Sequence, residues 1–251
     1  SAGTPERDKR YGAQFLLCLP WDSGGTAACT ADSQHDWGGG GMSRCLVVSA
    51  SGRRKGNSAS LASYLGVQLT SSGADCRVTD MFDHAVADEV SQAQQVFLIA
   101  PLYHDTLSYQ ATRLLEELAS SNIRDKSLGV LVHSGYPEAI HRSCAIDICR
   151  CFADYQGWYW LGSLSPGLTS VIDRKPLEEA GGLFKRLRSQ CAEAAHLWAQ
   201  GKPIDHKLHK ASTKAPIPPR ILGMIANWSI TQDAKKNKKD VLRKPYGEYV
   251  K

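Results

Sequence analysis

No stretch of this 251-residue sequence approaches the roughly 18 consecutive apolar residues of a helical membrane span. A secretory leader is not expected either. Phe15 to Trp21 is apolar but short, follows mixed charge (Glu6, Arg7, Asp8, Lys9, Arg10) and lacks a small-residue cleavage site. The eight cysteines (Cys18, Cys29, Cys45, Cys76, Cys144, Cys149, Cys151 and Cys191) form no framework of regular spacings. Scattered in largely apolar positions, they suit reduced thiols, and the expected compartment is the cytoplasm. There is no G-x-G-x-x-G, no Walker A sequence and no G-x-S-x-G elbow. The segment Gly162–Pro166 does not supply the elbow that a Ser-His-Asp hydrolase on an α/β sheet requires.

Net charge is +5, unevenly spread. From Gly201 onward 12 Lys and Arg face 4 Asp and Glu, whereas the preceding residues carry 18 against 21. The body is mildly acidic and the tail basic. A nucleic-acid protein more often carries its basic stripe on the fold, so none is expected as a partner. The tail is a solvated extension or a polyanion-binding one, with the first favoured. Residues 1–41 are rich in Gly, Ser, Thr and Asp without sustained period, and Met42 follows four glycines. They are expected to be a tag, a linker or a disordered leader, followed by a domain over 42–201 and a basic extension over 202–251.

From Met42 the pattern alternates. Arg44–Ser49, Cys76–Met81, Gln95–Leu102, Ser127–His133 and Trp158–Leu164 read as strands. Ala59–Ser71, Val86–Ala93, Gln110–Ser120, Glu138–Tyr155 and Leu177–Gln200 read as helices, with Leu61, Ala62, Leu65 and Leu69 on one face of the first. Continuous apolar strands imply a sheet covered on both faces. The alternation predicts an α/β fold, a doubly wound five-stranded parallel sheet with helices on both faces, whose ligand crevice lies at the carboxyl ends of the strands.

The first such end is SASGRRKGNS, from Ser49 to Ser58. It opens a helix, where unpaired N–H groups and the positive helix end favour an anion. Its glycines permit close backbone approach, and its hydroxyls and amide can donate. Gly52 and Gly56 are three residues apart with Asn57 following, so neither dinucleotide nor Walker loop fits, and a terminal phosphate monoester is the better occupant.

SASGRRKGNSASL resembles the phosphate loop of the flavodoxin-like NAD(P)H-dependent FMN and quinone reductases, Ser-x-Ser-(x)n-Gly-Asn-Ser/Thr before the first helix. IAPLYHDTLSYQATRLLEEL resembles that family's third strand, its Pro-x-Tyr turn and the next helix. PIPPR, IANWSI and the Lys/Asn-rich run resemble tails of some members, so the likeness covers roughly residues 43–247. It implies a flavodoxin-like fold with FMN as cofactor and NADPH or NADH as co-substrate. Hydride would pass from nicotinamide C4 to flavin N5 and on to a small acceptor (a flavin, quinone, nitro compound or metal ion) in a ping-pong cycle. Carried over position by position, Ser49, Ser51, Gly56, Asn57 and Ser58 would bind the FMN phosphate, with Arg53 and Lys55 adding charge. Pro101, Leu102, Tyr103, His104 and Asp105 would form the turn beside the flavin, and backbone N–H groups near Tyr103 to Thr106 would stabilise its reduced form. Ser134, Gly135, Tyr136 and Pro137 would form the other wall. No side chain need act as nucleophile or base. Members commonly dimerise, and Trp228, Tyr246 and Tyr249 would pack across such an interface. One subgroup carries an iron–sulfur cysteine cluster between the second and third strands; that region here has only Cys76, and no cluster is expected.

Two other readings compete. HRSCAIDICRC, from His141 to Cys151, brings His141 and Cys144 to one helical face, yet cysteines amid Ala, Ile and Phe are more often core residues than zinc ligands. A non-enzymatic flavodoxin-type electron carrier or redox sensor shares the phosphate loop, but dedicated carriers are strongly acidic and this body is not. His104 and His133, at strand ends, either touch substrate or are polar rim residues.

Overall fold

A computed structural model of the protein describes residues 42–237. Strands β1 (Arg44–Ser49), β2 (Asp75–Asp80), β3 (Gln95–Tyr103), β5 (Ser127–His133) and β6 (Tyr159–Leu164) form a parallel sheet in the order β2-β1-β3-β5-β6. Between them run α1 (Asn57–Ser71), α2 (Val86–Gln92), α3 (Tyr109–Ser120) and α4 (Ile140–Gln156), and α5 (Lys185–Ala199) follows β6. The fold is the flavodoxin-like α/β arrangement that the alternation predicts. Residues 1–41, together with Tyr246 and Tyr249 of the tail, lie outside the described residues.

Successive side chains of a strand face opposite sides, so each apolar strand feeds two cores. Val47, Phe97, Ile99 and Leu131 pack with Leu61, Leu65 and Leu69 of α1 and Trp198 of α5. Leu46, Val48, Val96, Leu98, Val130 and Val132 pack on the other face with Val90 of α2, Leu114 and Leu118 of α3, and Phe152 of α4. The edge strand β2 differs: it pairs with β1 alone and none of its residues is fully buried.

Three local features depart from the sequence reading. Tyr103 ends β3 rather than starting a turn, and His104 and Asp105 form a two-residue hairpin to a short antiparallel strand β4 (Thr106–Leu107). Both turn residues have positive φ, 48° and 61°, as a type I′ connection demands. The helix expected over Leu177–Gln200 is interrupted. Single 3-10 turns occupy Leu177–Glu179 and Gly182–Phe184, because Gly181 adopts a left-handed φ of 76° that no continuing helix allows. Beyond α5, helices α6 (His206–Ser212) and α7 (Pro219–Lys236) complete the described chain. In α7, Ile221, Met224, Ile225 and Trp228 recur at helical spacing and all are exposed. No helix among the described residues is long and apolar enough to cross a membrane.

Gly129 in β5 is a packing requirement. A methyl group there would lie 2.7 Å from Cδ1 of Phe97 and 3.2 Å from Cε2 of Trp198, whose rings stack with centroids 4.9 Å apart. Gly129→Ala is expected to cost about 1–3 kcal/mol in urea unfolding through overpacking. An unchanged midpoint would show that the Phe97–Trp198 pair yields without penalty.

Candidate functional site

All five parallel strands end at the same edge of the sheet, so the loops that follow them converge. A cleft of about 160 Å³ opens there, walled by the β1–α1 loop, the end of β3, the β5–α4 loop and the segment after β6. Its floor loop was legible in the sequence. Ser51, Arg53, Gly56, Asn57 and Ser58 line it, as do Pro101, Leu102 and Tyr103 from β3 and Ser134 and Gly135 after β5.

Other expected residues are placed elsewhere. Ser49 faces a separate cavity on the β2 side of the loop. Lys55, His104, Asp105 and Tyr136 are not among the residues lining the cleft. Asp105 instead reaches Nδ1 of His141 at 2.9 Å, and the His141 ring packs on Tyr136 with centroids 5.7 Å apart, tying the hairpin tip to the start of α4. The Tyr136 contribution is its carbonyl, which accepts from Arg142 and from Leu168 N–H.

The lining carries two cations, Arg53 and Arg174, and no carboxylate. No side chain caps α1, whose Gly56 N-cap is fully extended at φ −169°, so the first N–H groups of a 15-residue helix remain for a ligand. Cationic side chains, an uncapped helix start and small hydroxyl residues together suit an anion.

The remaining polar groups interlock the loops. Asn57 donates from Nδ2 to Thr169 C=O at 2.9 Å and accepts at Oδ1 from Arg174 N–H at 2.8 Å, so it fastens the segment after β6 rather than pointing at a ligand. His133, at the end of β5, lies between Ser58 Oγ (2.8 Å from Nε2) and Thr169 Oγ1 (2.8 Å from Nδ1). Thr169 has one hydroxyl hydrogen and donates it to Ser134 C=O at 3.0 Å. Nδ1 must therefore donate to Thr169, which leaves Nε2 to accept from Ser58. Burial, reinforced by nearby Arg142, pushes the imidazole down to about 4, in accord with this neutral tautomer. Ser58 consequently presents lone pairs, not its proton, to the cleft.

Behind the wall lies a fully buried arginine with no ion-pairing carboxylate among the described residues. Arg142 of α4 donates to Ser165 Oγ (2.9 Å), Ser134 Oγ (2.8 Å), and the carbonyls of Tyr136 (3.1 Å), Glu138 (2.9 Å) and Thr213 (3.3 Å). Burial pulls its pKa down to about 10, so it stays charged near neutrality. Gly167 gives it room: a Cβ there would sit 3.0 Å from Nη1 and 2.7 Å from Tyr136 C=O.

Thr169, Ser170, Arg174 and Arg142 escaped the sequence reading. The parallel topology already assigned the segment after Leu164 to this edge, and that was a usable signal for the first three. Nothing flagged Arg142, because a charged residue on a helix reads as solvent-facing. On the same helix, Cys149 is in the core and Cys144 is exposed. Burial pushes the Cys149 thiol up to about 12, and among the described residues no three His, Cys, Asp or Glu groups are arranged to hold a metal ion.

No family model matches the chain, and no curated protein matches it. Solved structures do. An NADH:FMN oxidoreductase in its apo form aligns with a TM-score of 0.50 at 16% identity, over 72% of this chain and 99% of that one. A flavodoxin from the domain Archaea gives 0.48 at 14%, over 64% and 98%. An azoreductase from Bacillus anthracis str. Sterne gives 0.46 at 16%, over 62% and 99%. At such identities the common property is the fold.

The histidine makes a pH prediction. Its pKa is 6.5 unfolded and about 4 folded, so between these values the unfolded state holds the extra proton. The stabilising contribution is complete above pH 6.5 and is lost as pH falls towards 4, amounting to about 3 kcal/mol. Urea unfolding across that window is expected to show a shallower pH slope for His133→Gln than for the native chain. Identical slopes would refute the neutral buried imidazole.

Proposed function

We propose that the protein is an FMN-dependent NAD(P)H oxidoreductase acting on a small electron acceptor. The observation that carries the reading is the cleft's charge: two arginines and an uncapped helix start with no carboxylate, at the strand ends of a flavodoxin-like sheet.

The residues present fit a flavin phosphate. Ser51, Arg53, Gly56 and the first N–H groups of α1 would hold it, with Arg174 closing from the opposite side. The enclosed volume is below the about 300 Å³ of a typical small-molecule pocket, so the cleft takes the phosphate and polyol while the ring lies on its rim. Pro101, Leu102 and half-exposed Tyr103 would support one side of the ring, and Ser134 and Gly135 the other. When bound, FMN supplies hydride transfer between nicotinamide and acceptor. The chain's own part is positional: Asn57 and His133 keep the phosphate loop and the post-β6 segment in register, and Arg142 fixes the Ser134 wall. His133, neutral near pH 7, adds no charge of its own to the cleft.

The test is a visible absorbance titration with FMN followed by anaerobic NADPH. Bound flavin that bleaches is the expected result; bound flavin that does not bleach would turn the assignment to an electron carrier, and no binding would remove both. Arg174→Gln is expected to weaken FMN about tenfold and leave riboflavin unchanged, since the lost contact is a charge-assisted hydrogen bond to phosphate. Equal losses for both ligands would place Arg174 away from the phosphate.

The dimer implied by the family resemblance has a candidate face in α7. An 18-residue helix is marginal alone, and its stripe of Ile221, Met224, Ile225 and Trp228 needs a cover. A second copy suits it, since the mildly acidic body and basic tail are complementary. Light scattering is expected to show a dimer that Trp228→Ser dissociates; a monomeric native chain would rule this out.

A further inference from the structure

The phosphate loop has a second side. Between α1 and the edge strand β2 lies a cavity of about 560 Å³, several times the volume of the anion cleft, and nothing in the flavin phosphate reading uses it. Ala59 and Ala62 of α1 and Val78 of β2 make its apolar floor. Phe82, just beyond β2, makes a flat wall, and the Arg54 guanidinium lies 5.5 Å from the centre of that ring. Arg54 comes from the phosphate loop itself, so the cavity and the cleft are the two flanks of one loop.

One polar group there lacks the partner that burial calls for, and a second, partly exposed, has a spare acceptor. Ser49 is 4% exposed, and its Oγ has no hydrogen-bond partner although it lines the cavity. A buried hydroxyl without a partner costs free energy that a ligand can recover. Asp80, paired in register with Ser49 across β1 and β2, uses Oδ1 to accept from Phe82 N–H at 2.8 Å. Among the described residues no protein group claims its Oδ2. The neighbouring Asp83 is occupied, accepting from Ala85 N–H at 3.0 Å and from Thr79 Oγ1 at 3.4 Å.

We propose that this cavity binds a nucleoside: a flat heterocycle over the Ala59–Ala62–Val78 floor beside Phe82, with its ribose hydroxyls on Asp80 Oδ2 and Ser49 Oγ. A flat apolar floor beside an aromatic wall takes a base, and a carboxylate acceptor at the end of a parallel strand takes a vicinal diol. Arg54, on the cavity side of the loop, would meet the phosphate that joins such a nucleoside to a second group in the cleft. The nucleoside has two possible sources, a flavin dinucleotide bound in place of FMN or the nicotinamide dinucleotide. In its link to the cleft the inference rests on the flavin reading above, but nucleoside binding itself does not.

The experiment is calorimetric titration of the full chain with AMP, FMN, FAD and NADPH separately, repeated for Asp80→Asn and Phe82→Ala. Asp80→Asn retains an oxygen for Phe82 N–H, so the turn keeps its cap; far-ultraviolet dichroism checks that both variants fold. AMP is expected to bind the native chain and to weaken at least tenfold in both variants, with FMN affinity unchanged. If FAD binds tighter than FMN and the variants erase that difference, the nucleoside is the flavin's. If instead the variants weaken NADPH alone, it is the nicotinamide dinucleotide's. If native protein binds no AMP, or if the folded variants bind AMP, FAD and NADPH as the native chain does, the proposal is overturned. A failure of FMN to bind would remove the flavin reading and leave the AMP titration to decide this one.

Discussion

Burying both faces of a parallel sheet is the constraint from which the site follows. Strands such as Val96–Ala100 and Leu128–Val132 have no polar face to show water, so helices must cover both sides. Helices on both sides require long right-handed crossovers, and these return every strand in the same direction. All carboxyl ends then fall on one edge, and the chain segments that leave them are brought together without any sequence of their own demanding it.

Convergence alone would leave four independent loops. Here they are cross-linked by polar side chains. Asn57 binds both ends of the post-β6 segment, through Thr169 and Arg174. His133 connects Ser58 to Thr169 across the cleft floor. Arg142 gathers the β5–α4 loop, the end of β6 and the end of α6. His133 and Arg142 are buried, Asn57 is partly so, and each is satisfied, which is what lets a polar network rigidify a site instead of weakening it. The anion site left over is therefore mostly backbone, hydroxyl and arginine.

This division explains what was legible. The parallel strands, the helices on both faces and the loop that opens α1 were readable because they follow from hydrophobic period and from glycine and hydroxyl content at a helix start. Ser49 was assigned to the cleft by the loop resemblance; it is the last residue of β1 and lines the cavity on the β2 side, whereas Ser51 already belongs to the loop. The hairpin at His104–Asp105 was hidden because neither residue is the Gly or Asn that usually announces two left-handed positions. The break before α5 was hidden by apolar residues on either side of Gly181 that continue a helical period. Arg142 could not be found from sequence, since its role rests on hydroxyls and carbonyls of three separate segments.

The central claim is that one cleft, closed by segments distant in sequence, holds a phosphate-bearing flavin. Hydrogen–deuterium exchange with and without FMN tests it most directly. The account predicts that FMN slows exchange together in residues 51–60, 101–106, 134–136 and 169–175, with the α1 start most protected. Protection missing from the 169–175 segment, or centred on a part of the molecule away from these strand ends, would contradict it.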